Sequence, residues 1–97
     1  GASNTGISQI ITGAGTLTIS SIPANDQGYY DLTVPGVQTS GTYPPVMIGW
    51  AGDLPNGIAF KQAYVPSANK VRIVIRNTTG STMTGISVGV TATVIQF

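Results

Sequence analysis

Apolar and polar residues alternate along this chain with a period of two, and no stretch of useful length carries the period of a helix. That pattern confines the chain to β-strands, and the turn residues divide it finely. The stretches "ISQIITG" (7–13) and "TLTISSI" (16–22) are rich in β-branched residues, with Gly13, Ala14 and Gly15 reading as a turn between them. "PAND" (23–26) reads as a loop, and "GYYDLTV" (28–34) as a strand stopped by Pro35-Gly36. A connector (37–45) leads to the apolar strand "VMIGWA" (46–51), and "GDLPNG" (52–57) is a dense turn cluster. The strands "IAFKQAYV" (58–65) and "KVRIVIRN" (70–77) flank "PSAN", and "TTGSTMTG" (78–85) precedes a long last strand, "ISVGVTATVIQF" (86–97). The expected fold is all-β: one antiparallel β-sandwich or jelly roll of about seven to eight short strands, a single domain over residues 1–97.

The polar positions are filled mostly by Thr, Ser, Gly and Asn. Only 7% of the 97 residues are charged, against roughly 25% in an ordinary soluble protein, and the first 25 carry no charge at all. A net charge of +1 is far from what a general nucleic-acid binder needs to neutralise many phosphates. No apolar run approaches the ~18 residues of a membrane-spanning helix, and "GASNTG" shows no charged region followed by an apolar one, so neither a membrane partner nor a signal peptide is expected.

Reactive chemistry is scarce. The chain has no His, Cys or Glu, so no Ser-His or Cys-His nucleophile can be assembled. Its carboxylates are Asp26, Asp31 and Asp53, with no supporting motif around them. No enzyme and no cofactor is expected. Asn25, Asp26 and Asp31 offer a few oxygens to calcium, yet "PAND" before a strand is also an ordinary turn in which Asn and Asp bond their own backbone. Asn77-Thr78-Thr79 matches the N-glycosylation pattern, and the same residues suit a turn that ends a strand. Tyr29 and Tyr30, being adjacent, must point to opposite faces of their strand. Tyr29, Tyr30, Tyr43, Trp50 and Tyr64 are the rings that could stack on a sugar; Trp50 reads as a core anchor, and Tyr43, beside Pro44-Pro45, as the candidate exposed aromatic.

All four cations fall in one hairpin. If strands 58–65 and 70–77 pair so that Val65 faces Lys70, then Tyr64 opposes Val71, Gln62 opposes Ile73 and Phe60 opposes Ile75. On the other side Ala63 opposes Arg72, Lys61 opposes Val74 and Ala59 opposes Arg76. Lys61, Lys70, Arg72 and Arg76 then share the outer face, because residues two apart lie on one side of a strand. The plain reading is a set of charges that keeps an exposed strand soluble and discourages edge pairing. The functional reading is a small basic contact face for an acidic protein surface or a phosphate.

From about residue 22 onward the order of elements resembles a β-sandwich domain of tailed-bacteriophage virion proteins. The matching stretches are "SIPAN" (21–25), "DLTVPGV" (31–37), "LPNGIAFKQAYVPSANKVRIVIRNTTG" (54–80) and the terminal Val/Thr strand. The resemblance implies a non-enzymatic structural part located in the virion. The first expectation is a capsid decoration or cement protein, bound to the major capsid protein or another virion protein. The alternative is a tail-fibre, spike or head-fibre module. Such parts assemble as homo-oligomers, with a trimer favoured, and the uncharged N-terminal stretch suits contact between copies. A carbohydrate-binding or adhesin module is the competing reading of another class.

Overall fold

The computed structural model describes residues 9–38 and 44–96, which form six antiparallel strands and no helix. They are β1 (Gln9–Ile22), β2 (Gln27–Thr33), β3 (Val46–Trp50), β4 (Ile58–Tyr64), β5 (Lys70–Asn77) and β6 (Met83–Gln96). Two three-stranded sheets face each other, ordered β1-β6-β3 and β2-β5-β4. The radius of gyration is 14.9 Å and the extents are 53 × 20 × 19 Å, longer than the roughly 12 Å radius usual for this many residues. Two 14-residue strands, β1 and β6, set that length.

The count is six rather than the expected seven to eight because Gly13-Ala14-Gly15 does not turn. These residues run straight through β1, pairing with Ala92, Thr91 and Val90 of β6. The glycines are small for another reason. A Cβ on Gly15 would lie 2.6 Å from Leu32 Cδ1, and one on Gly13 would lie 2.9 Å from a Val34 methyl. Both glycines sit on the inner face of β1, so the opposite sheet presses its side chains onto bare backbone there.

The core lies between the sheets and follows the alternation. Leu17, Ile86, Val90, Ala92 and Val94 come from the first sheet, and Leu32, Val71, Ile73 and Ile75 from the second. Each fully buried Val, Leu or Ile contributes about 1.5–3 kcal/mol by leaving water. Tyr30 packs on this core while Tyr29 stays exposed, as their adjacency requires. Trp50 also points inward, with its ring edge-on to Phe60 at 5.9 Å between centroids.

Two asparagines fasten the ends. Asn77 is fully buried at the end of β5. Its Nδ2 donates to the carbonyls of Ile22 (3.0 Å), Pro23 (3.2 Å) and Ser81 (2.8 Å), and its Oδ1 accepts from the Thr79 N–H and hydroxyl. At the other end Asn69 adopts φ 65°. Its carbonyl accepts from Val34 N–H, its own N–H donates to Val37 O, and its Oδ1 accepts from Gly36 N–H.

Candidate functional site: the outer face of β2-β5-β4

Six of the seven charged side chains lie on the β2-β5-β4 sheet or directly before β2; the seventh, Asp53, lies in the connector between β3 and β4, and the strands β1, β6 and β3 carry none. On the charged sheet Lys70, Arg72, Val74 and Arg76 alternate with the inward Val71, Ile73 and Ile75. Across β5 from them stand Thr33, Asp31, Tyr29 and Gln27 of β2.

The β4 side departs from the expected register. Ala59 opposes Arg76 and Phe60 opposes Ile75, as the spacing predicts, but a bulge between Phe60 and Gln62 then shifts the pairing by one. Gln62 now opposes Val74, Ala63 opposes Ile73 and Tyr64 opposes Arg72. A one-residue slip exchanges the two faces of a strand. Ala63 therefore packs inward against the core, and Tyr64 moves to the outer face beside Arg72. Lys61, at the bulge itself, reaches over the sheet and donates to Gln27 Oε1.

Arg72 is the centre of this face. Its Nε and Nη2 donate to the two oxygens of Asp31 at 2.8 and 3.1 Å, a paired geometry that fixes the guanidinium plane. The same guanidinium lies over the Tyr29 ring, 4.2 Å from its centroid. The hydrogen bond from Arg72, partly opposed by desolvation, holds the Asp31 carboxyl below its ordinary value, with smaller help from the charges of Arg72 and Lys70. Arg72 is pushed further above its own ordinary value by its hydrogen bonds with Asp31 and then Tyr64. Beneath these groups Val74 is only 4% exposed although it points outward. The face thus has one buried apolar side chain, Val74, beneath its polar groups.

The four cations are therefore not equivalent. The hairpin contains no acid, but β2 supplies one, so Arg72 is neutralised and Lys61 is engaged by an amide. Lys70 and Arg76 are exposed and make no ion pair among the described residues. Tyr43 lies outside the described residues. The aromatic rings that the described structure exposes on this face are Tyr29 (57%) and Tyr64 (41%). The sequence offers Tyr64 as one of five rings that could stack on a sugar, but the expected register opposite Val71 turns it inward; its exposure depends on the bulge.

The remaining candidates resolve into turns. Asp26 accepts from the N–H of Gln27 at 2.8 Å, Asn25 has φ 57° and donates its N–H to Thr79 O, and Asp31 is occupied by Arg72. Among the described residues no three of His, Cys, Asp and Glu come together as metal ligands would. The Asn77 amide is buried and fully used in the loop junction, which leaves no room for a glycan on it. Comparison with protein-family models, with curated proteins and with solved structures finds no match to this chain.

Proposed function

We propose that this chain is a non-enzymatic structural protein of a virion, a capsid decoration or cement protein of a tailed bacteriophage. It would bind an acidic site on the shell through the outer face of β2-β5-β4, together with copies of itself. The observation that carries this reading is the segregation of charge: one sheet carries every cation and the other carries no charge. A two-sided slab of this kind can meet two different neighbours, one by charge and one by apolar and hydrogen-bonding contact. Arg72, with Tyr29 and Tyr64 beside it, is held rigid before any partner arrives, which lowers the entropy cost of docking. Lys70 and Arg76 add orientation and association rate.

The test is co-sedimentation with purified capsids lacking the protein. The double variant Lys70→Glu and Arg76→Glu removes the two unpaired cations and leaves both residues of the Asp31–Arg72 pair in place. Binding should weaken at least tenfold, and the wild-type interaction should fall steeply with added salt. Capsid binding unchanged in the double variant would refute the charged-face mode.

The exposed Tyr29 and Tyr64, flanking a fixed guanidinium, favour one second reading, a carbohydrate-binding or adhesin module that stacks a sugar on a ring. A glycan array on wild type and on Tyr29→Ala separates the two: sugar binding that needs Tyr29, without capsid binding, selects the module.

A further inference from the structure

We propose that β1 pairs through its free edge with β1 of a second copy of this chain, antiparallel about a twofold axis, so that two β1-β6-β3 sheets become one six-stranded sheet. This deepens the assembling role proposed above by naming the surface. The argument begins with the edges. An open strand edge presents unpaired N–H and C=O groups, and folded proteins guard such edges with short strands, bulges, prolines or charges. Three of the four edges here are guarded. β3 is five residues long, β4 carries Lys61 at a bulge, and β2 carries Asp31 and is followed by Pro35.

β1 has none of these devices. It runs fourteen residues with no charge and no proline, and its register with β6 never shifts. At ~3.3 Å per residue it presents on the order of 46 Å of edge. Among the described residues, the backbone groups of residues 9–21 bond to no strand but β6. Half of them, on alternate residues, point away from the protein.

The occupant follows from length and charge. A second β1 offers an equally long, equally uncharged partner. The whole β1-β6-β3 sheet has no charged side chain, so two copies meet there without like-charge repulsion and without burying an ion. Joining two β2-β5-β4 faces would instead bring Lys70 and Arg76 of both copies together. Outward positions on β1 near the edge are Thr12, Ala14, Thr16 and Thr18, all exposed and small enough for two strands to lie side by side. A contact of this kind is isologous and closes as a dimer, in place of the trimer that the family resemblance implies.

The experiment is light scattering across a concentration series, with amide hydrogen exchange read residue by residue, on wild type and on the double variant Thr12→Lys and Thr16→Lys. Wild type should reach twice the chain mass. In that state the β1 amides facing away from β6, every second residue, should exchange as slowly as those facing it. Because the variant places lysines at exposed positions, the fold survives; its dissociation constant should rise tenfold or more and the alternate protection should vanish. A wild-type monomer at millimolar concentration, a trimer, or an oligomer whose β1 outward amides still exchange freely would each overturn the proposal. The Lys70→Glu and Arg76→Glu double variant should leave the mass unchanged, so failure to bind capsids and failure to dimerise are read separately.

Discussion

Asn69, in the turn between β4 and β5, accepts a hydrogen bond from the N–H of Gly36 at 2.9 Å across 33 residues of sequence. Together with the backbone bonds to Val34 and Val37, this makes the "SAN" turn a clamp on the "TVPGV" segment after β2. The two motifs occur in one chain because each completes the hydrogen bonds of the other. Backbone groups at the mouth of a sandwich must find partners, and here they find them in each other.

That clamp has two separable components, a left-handed backbone and a side-chain acceptor. Asn69→Gly keeps φ 65° accessible and loses only the acceptor, whereas Asn69→Ala loses both. The left-handed conformation costs an ordinary residue about 1–2 kcal/mol. Urea unfolding should therefore rank the Ala variant about 1–2 kcal/mol below the Gly variant, with the Gly variant itself below wild type. Equal stabilities would mean that the turn relaxes to another conformation.

Asn77 joins the loops at the other end, donating to three carbonyls and accepting from Thr79. Each buried polar group left unpaired costs about 1–3 kcal/mol, so Asn77→Ala should cost about 3 kcal/mol or more. That is a large share of the ~5–15 kcal/mol that holds a domain together. Asn77→Asp has the same shape but aims a carboxylate at carbonyl oxygens. Its folded-state pKa must rise, so its stability deficit should shrink as pH falls from 7 toward 4 in thermal melts. A deficit that does not change with pH would show that the donor bonds carry little of the stability.

The contrast between what the sequence makes plain and what it hides has a physical origin. Alternation is local, so the inward run Val71, Ile73, Ile75 and the outward Lys70, Arg72, Arg76 can be read from nine consecutive letters. Gly13-Ala14-Gly15 misleads, because small residues suit a turn and a crowded inner strand face equally; only Leu32 and Val34, in the opposite sheet, decide between them. The bulge at Lys61 leaves no signature in "FKQAYV", yet it turns Tyr64 outward. Asp31 lies 41 residues from Arg72, and nothing along the chain announces that β2 will flank β5. Asn77-Thr78-Thr79 looks like a modification signal until the burial of its amide is known.

The Asp31–Arg72 pair makes the stability of this face depend on pH in a definite direction. Hydrogen bonding from Arg72 lowers the folded-state pKa of Asp31 below its ordinary 3.8. The unfolded chain therefore binds the proton first, and stability rises with pH wherever the unfolded state holds more protons. The contribution is fully present above the unfolded value and is lost as pH falls from about 4 through the folded value. Asp31→Asn keeps the size of the side chain and removes the charge. At pH 7 the variant should be less stable than wild type in urea, and the gap should close steadily on acidification below pH 4. The same loss should free the Arg72 guanidinium from its plane over Tyr29, which exchange broadening or a shift of the Tyr29 ring resonances would report. A gap that stays constant from pH 7 to pH 2 would mean that Asp31 acts through packing alone, and Arg72 would then owe its position to Tyr29 and Tyr64.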